Sequence, residues 1–578
     1  MSKRKATRLK AGRSGKQSKA RDPRAAAKEA QEAAKEAAES SRKGGRGIAS
    51  PDSIRETIES VVIAFVLAFL FRTFEAEAFV IPTGSMAPTL MGRHKDLDCP
   101  ECGYRYQVGD SASSASADAC SCPMCMFPTD LSSGNVEGKV YESYNGDRIL
   151  VNKFCYEYED PKRWDVAVFK FPADAPTNYI KRLVGLPGDK LTISNGDIFL
   201  WNEDENRYVV ERKPPRKQLA MLQSVFDNDV MDRIAEYGWP ARWNNPYEDA
   251  SDSEAMGNWV TSEDFRSFSV DGTFDGEAWM RYEHRVPTKM QWGMVRKGNE
   301  VPESMIPPRL ITDFYAYNSH KSNTRDLAPL PVSDYWVGDL AMKCRVDIES
   351  DSGIVIFDLV EGFNRYECRI NIADGKAALS IDGVDSFAPV ADTAVRPFGS
   401  HEIIFANCDD ELRLWIDGDL VEFDAPTTYA PPTDIRSTNA DLSPAGIGSL
   451  DAAMRVSELE LLRDIYYTAG GHKIPEVYDR DRIPISPSDP RYAAENGPAG
   501  EETVPPYILE EDQFFMLGDN SPCSKDSRLW DEGPHYVHRD LMIGKAVFIY
   551  WPHSWDRIPG TNIPFPYFPN FGDMGLVR

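Results

Sequence analysis

Cysteine is scarce in this 578-residue chain, ten in all, which excludes a fold built on a disulfide framework. Positive charge is in deficit: 65 Lys and Arg stand against 91 Asp and Glu, for a formal net charge of −26. The longest unbroken apolar run is eleven residues, Val61 to Phe71, which excludes a polytopic membrane protein. The first fifty residues contain no aromatic side chain and cannot bury enough surface to fold alone. What is present is ample core material, 42% hydrophobic and 11% aromatic. That excludes a wholly disordered or collagen-like chain, and the length suggests about three or four domains.

The charge deficit is uneven. Residues 1–50 hold 15 Lys and Arg against 5 Asp and Glu, or +10, which leaves −36 on the other 528 residues. A basic arm of this kind is read either as a nucleic-acid tail or as the flank of a membrane segment. The apolar run that follows favours the second. Counting Ser60, it is uncharged for twelve residues, about 18 Å as helix against a hydrocarbon core of ~30 Å. Three readings stay open on length: a buried helix, a signal-peptide core with Ala76-Glu77-Ala78 as a small-x-small site, or a span. A span over 54–75 would need Arg55, Glu56, Glu59 and Arg72 to snorkel near its ends. It would leave the basic head in the cytoplasm and everything after about residue 75 outside.

Directly after this run stands Phe79-Val-Ile-Pro-Thr-Gly-Ser-Met-Ala-Pro-Thr-Leu90, a turn-prone stretch that could present the Ser85 hydroxyl. Farther on, Lys181 lies in the apolar, β-rich segment Tyr179-Ile-Lys-Arg-Leu-Val-Gly-Leu-Pro-Gly-Asp189. A lysine can activate a serine only if burial lowers its pKa enough to leave a neutral amine, and neighbours such as Ile180, Leu183 and Val184 offer that environment. The plain alternatives are a loop serine and a solvated strand lysine.

Four segments in order carry a family resemblance: Pro82 to Leu90, Gly146 to Phe154, Asp165 to Pro172 with Tyr179 to Asp189, and Gly518 to Ala546. They resemble the conserved boxes of bacterial type I signal peptidases, whose eukaryotic and archaeal relatives carry histidine in place of the lysine. The resemblance implies Ser85 as nucleophile and Lys181 as general base. It implies an oxyanion hole from the Ser85 N–H and the Thr83 hydroxyl, with Ser524 orienting the amine and Asp526 and Arg528 holding the site together. Ile81, Pro82, Met86, Leu90 and Ile180 match positions lining a pocket for small side chains. Ser521-Pro-Cys523 and Trp164, which stands where glycine is typical, depart from the pattern. The implied activity is a membrane-bound serine endopeptidase cutting signal peptides from exported preproteins after Ala-x-Ala. It needs no catalytic cofactor. Preproteins, membrane lipid and the Sec translocon are the expected partners, nucleic acid is not, and the cytoplasmic membrane is the expected location. Two alternatives stay open: a Ser–Lys protease for a specialised envelope substrate, and a catalytically degenerate envelope protein that binds a ligand.

The boxes leave two insertions. Cys99-Pro-Glu-Cys102 and Cys122-Pro-Met-Cys125 have the spacing of a structural zinc ribbon, with disulfides as the rival and Cys120 left over. The second insertion shows, from Tyr335 to Leu462, short strand-forming runs punctuated by Asp374-Gly375, Asp382-Gly383 and Asp417-Gly418, the pattern of an antiparallel sandwich. Residues 402–418 resemble laminin-G or concanavalin-like jelly rolls. Asp409 and Asp410 read as a solvated turn, with a calcium role as the alternative, and Cys344, Cys368 and Cys408 as buried thiols or one disulfide. The expected fold is mainly β. It has a basic head (1–50), an anchor (54–75), a signal-peptidase-like antiparallel core in three pieces (76–95, 141–202, 511–578), a zinc-ribbon-like insertion (96–140), and a large insertion (203–510) with a sandwich at about 255–465.

Overall fold

A computed structural model describes residues 58–63, 76–110, 119–132, 141–244, 258–321, 335–432, 436–469, 477–478, 484–485, 505–530, 533–558 and 563–578. The chain divides into two units, Met1–Thr73 and Phe74–Arg578. In the first, residues 58–63 are helical. Most of the expected anchor, like the basic head, lies outside the described residues. Among the described residues no helix is long and apolar enough to cross a membrane.

The second unit is mainly β, with antiparallel pairing throughout. Its catalytic-type sheet runs in the order Ala76–Val80, Arg148–Asn152, Met542–Trp551, Val166–Phe171, Asp174–Gly185, Gln513–Leu517, Val537–His538. Strands from the two ends of the chain therefore interleave, and the order cannot close until the C-terminal segment is in place. A four-stranded sheet lies beside it in sequence, made of Arg207–Val210, Asp197–Asn202, Lys190–Ser194 and Tyr507–Ile508.

The large insertion folds as two sheets of eight and seven strands. Their inward residues, among them Met342, Val346, Phe405 and Leu461 from one sheet and Phe357, Tyr366, Cys368 and Ile447 from the other, form one buried cluster. Alternation of apolar and polar residues creates these faces, as in Leu340–Ile348, where every second side chain is fully buried. One sheet begins before the expected 255, since Gln223–Asp227 pairs with Ala453–Arg463; in the other, Glu277–Tyr282 pairs with Ala445–Leu450.

Between the first two catalytic-sheet strands, two hairpins carry the CxxC pairs. His94–Asp98 pairs with Arg105–Gly109, and Ala119–Ser121 with Pro128–Asp130. The cysteines belong to the same buried cluster as the sandwich, and Trp292 donates its indole N–H to the Cys125 carbonyl at 2.8 Å. The hairpins are thus packed into the insertion.

Candidate active site

The segment Gly84-Ser-Met86 makes one 3-10 turn, whose first N–H groups have no acceptor within the helix. Lys181 lies opposite Ala167 in the register of its strand pair. Because side chains alternate along a strand, Lys181 and Arg182 face opposite sides. The Lys181 ammonium reaches the Ser85 hydroxyl, with Nζ 2.5 Å from Oγ.

Lys181 is only 4% exposed. Burial lowers its pKa from 10.5 to about 8, while the carboxylates of Asp526 and Asp519 resist the shift. Both carboxylates are already engaged. Asp519 takes a two-pronged ion pair from Arg182, Nε–Oδ1 2.7 Å and Nη2–Oδ2 2.6 Å, and the Thr89 hydroxyl at 2.5 Å. Asp526 holds Arg528 in the same manner at 2.8 and 2.7 Å and accepts the Gly518 N–H at 3.0 Å. These charge-assisted forks consume the negative charge locally, so the amine beside them can lose its proton near neutral pH.

Of the other expected site residues, Thr83 precedes the turn and its side chain does not cap it; it is exposed next to Ser85. Ile81, Met86 and Leu90 are buried in one apolar cluster with Ile180 packed against it, whereas Pro82 is exposed. Ser524 is buried, but its hydroxyl has no hydrogen-bond partner. Instead of bonding the lysine amine it packs against Gly518, where any side chain would overlap it and the Ser85 carbonyl.

The two departures from the family pattern have a physical account. Trp164 adopts φ +70°, a left-handed conformation that suits glycine, and its ring lies 5.5 Å from the Lys213 ammonium. Ser521 accepts the Arg528 guanidinium at 3.0 Å and the Thr468 N–H at 3.2 Å. Both residues meet the segments where the large insertion leaves and re-enters the core. Asp409 also corrects the sequence reading. It is 2% exposed, and Lys213 bonds it at 2.7 Å and Asp464 at 2.8 Å. Although burial opposes it, these carboxylates hold Lys213 well above the usual ammonium range. Cys344, Cys368 and Cys408 are buried free thiols.

Sequence reasoning missed a brace on the nucleophile loop. Asn520 donates its backbone N–H to the Ser85 carbonyl at 3.1 Å and its side-chain amide to the Gly84 carbonyl at 2.8 Å. Its amide also pairs reciprocally with that of Asn318, at 2.6 and 2.9 Å. Asn318 belongs to the insertion, in the 3-10 helix Ala316–Lys321. Its neighbour Tyr317 lies on Gly84, leaving no room for a side chain there, and donates its hydroxyl to the Arg93 carbonyl at 3.1 Å. Nothing local in the sequence marks residue 318, which only the fold brings to residue 520. Asn318→Ala should therefore lower kcat by about tenfold with little change in KM, because it loosens the serine's placement. Steady-state kinetics would check this, and an unchanged kcat would remove Asn318 from the site.

The four cysteines form a second constellation. Both turns make the same backbone bonds: Gly103 N–H to Cys99 carbonyl and Cys99 N–H to Tyr104 carbonyl in one, Met126 to Cys122 and Cys122 to Phe127 in the other. The residue after each second cysteine, Gly103 or Met126, is left-handed. Cys99 and Cys125 sulfurs lie 3.5 Å apart and those of Cys102 and Cys122 3.6 Å, and all four fall within 4.8 Å of one another. A disulfide needs about 2.05 Å; four thiolates at about 2.3 Å from a tetrahedral ion lie about 3.8 Å apart.

The signal peptidase, peptidase S26 family matches residues 123–237 and 464–551. The signal peptidase I of Pseudomonas fluorescens is 54% identical over 56 residues, 8% of this chain and 20% of that protein. Signal peptidase I P of Bacillus subtilis subsp. natto is 26% identical over 162 residues, 28% of this chain and 58% of that protein. The chain thus spans less than two thirds of the length of either relative. Among solved structures, the carbohydrate binding module CBM66 from Bacillus subtilis aligns with TM-score 0.19 and 8% identity over 39% of this chain and 94% of that one, too slight a likeness to bear on function.

Proposed function

We propose that this protein is a membrane-anchored signal peptidase that cleaves exported preproteins after small residues, using Ser85 and Lys181. The observation that carries the proposal is the 2.5 Å contact between Lys181 Nζ and Ser85 Oγ, made by a buried lysine. Neutral Lys181 takes the Ser85 proton as Oγ attacks the scissile carbonyl carbon. The oxyanion is received by the Ser85 N–H and the Thr83 hydroxyl. Lys181 then gives the proton to the leaving amine, and the Lys181 amine, neutral again, deprotonates a water that hydrolyses the acyl-enzyme ester. The apolar cluster of Ile81, Met86, Leu90 and Ile180 would face the substrate's small side chain, alanine being preferred over larger ones.

The basic head and the exposed apolar side chains of Ile58, Val61, Val62 and Ile63 support an anchor over 54–75 that keeps the N-terminus cytoplasmic and meets anionic lipid. The Sec translocon would be the source of substrate for an enzyme so placed. Incubation of the detergent-solubilised chain with a preprotein bearing Ala-x-Ala tests the proposal by mass spectrometry of the products. No cleavage, or cleavage away from the small residues, would overturn it.

The pH dependence has a definite sign. The base is active as the neutral amine, so kcat/KM should be low at pH 6, rise through about pH 8, where the Lys181 pKa lies, and level off above it. A profile flat from pH 6 to 10 would contradict a lysine base.

The four buried cysteines would hold a structural zinc, closed to substrate and remote from the dyad chemistry. Cys99→Ser with Cys125→Ser should lower the zinc content by about one per chain, measured by elemental analysis. Unchanged zinc would exclude the cluster as a site.

A further inference from the structure

A second group of donors lies where the first hairpin meets the C-terminal segment. His94 is 1% exposed. Its Nδ1 is 2.6 Å from the Gly92 carbonyl, a contact that requires the proton on Nδ1. The Nε2 lone pair then points inward, and it has no hydrogen-bond partner. It faces Asp96 Oδ1 at 3.7 Å, and that oxygen also has no hydrogen-bond partner. Two buried acceptors confronting each other, too far apart for a hydrogen bond, repel unless something positive sits between them.

No neighbour hydrogen-bonds Oδ1 itself. Arg105 Nη2 at 2.9 Å and His553 Nε2 at 2.5 Å both address the other oxygen, Oδ2. His553 completes the group: its imidazole stands edge-on to that of His94 at 4.9 Å between centroids, and the ligating atoms of His94, Asp96 and His553 fall within 4.8 Å of one another. Ligands at about 2.0–2.2 Å from one ion span the 3.7 Å between Nε2 and Oδ1 without backbone movement. A histidine whose other ring nitrogen is held by a backbone carbonyl is the arrangement that fixes a metal-binding tautomer.

We propose that His94, Asp96 and His553 bind a second divalent ion, zinc by the chemistry of two imidazoles and a carboxylate, separate from the four cysteines, with His553 exchanging its proton and its contact with Oδ2 for the ion. The ion clips the strand His94–Asp98 to the segment after Met542–Trp551. Gly92, whose carbonyl orients His94, packs directly on the Thr83 and Gly84 backbone, so the clip supports the rear of the nucleophile loop.

The test is zinc stoichiometry of the full chain in detergent, by elemental analysis and native mass spectrometry. Wild type should carry two zinc ions, His94→Gln one, and Cys99→Ser with Cys125→Ser one. Zinc content identical in wild type and His94→Gln would overturn the proposal, as would wild-type protein that binds none. Should His94→Gln fail to fold, zinc-edge X-ray absorption of wild type decides. Nitrogen and oxygen scatterers beside sulfur support the site, and a sulfur-only shell overturns it.

Discussion

Lys181→Met should reduce kcat/KM for a preprotein by about 10⁴- to 10⁶-fold, and Ser85→Ala by a similar factor. Methionine fills the same volume in the buried strand but cannot accept the Ser85 proton across the 2.5 Å contact, so the loss is chemical and the fold should stand. Since the two residues act as one unit, the double variant should be no worse than the weaker single one. Lys181→Arg should fail as completely, because a guanidinium does not lose its proton in this pH range. Product analysis with circular dichroism as a folding control checks all four variants. More than about 1% residual activity in Lys181→Met would remove it as the base.

Asp519→Ala should cost about 3–5 kcal/mol of stability, the largest effect expected of any single change outside the dyad. Arg182 and Asp519 are both fully buried, and removing the carboxylate leaves the guanidinium bonded only to the Trp164 carbonyl, the Thr89 hydroxyl and the Arg578 carbonyl. A lone buried charge is costly; a pair replaced together is not. Asp519→Leu combined with Arg182→Met should therefore recover most of the loss, measured by the denaturant midpoint. If the double variant is as unstable as Asp519→Ala, the pair is not the source of the effect. Activity should fall with stability in the single variant, since Arg182 adjoins Lys181 in its strand.

Ser85 and Lys181 were paired through the family resemblance; locally the sequence offers only a turn at Gly84-Ser85 and an apolar strand ending in Pro187-Gly188, with a loop serine and a solvated lysine as the plain alternatives. Strand signals were local. Two of the strand-forming runs expected between Tyr335 and Leu462 are Leu340–Ile348, where every second residue is buried, and Glu411–Ile416, which Asp417-Gly418 ends. The strands at Gln223–Asp227 and Trp243–Asn244 escaped notice because two to five residues carry too little periodicity. Asp409 read as a solvated turn because sequence shows its charge and not Lys213, which lies 196 positions away and neutralises it. Ser524 was expected to bond the lysine through the family resemblance, yet its hydroxyl lies against Gly518 with no hydrogen-bond partner, a matter of packing that sequence does not show.

The brace between Asn318 and Asn520 has a consequence for how the protein comes into being. A chain made from its N-terminus presents Ser85 and Lys181 early, but the contact that seats the serine waits for residue 318 and then for residue 520. The strand Gln513–Leu517, which extends the lysine's sheet, arrives equally late. Until about nine-tenths of the polypeptide has emerged, Ser85 and Lys181 share a chain without the contacts that seat the serine. The proposed catalyst should therefore be silent during its own biosynthesis, leaving the small-residue stretch Ala76-Glu77-Ala78 that precedes Ser85 uncut until folding pairs it as the first strand of the sheet.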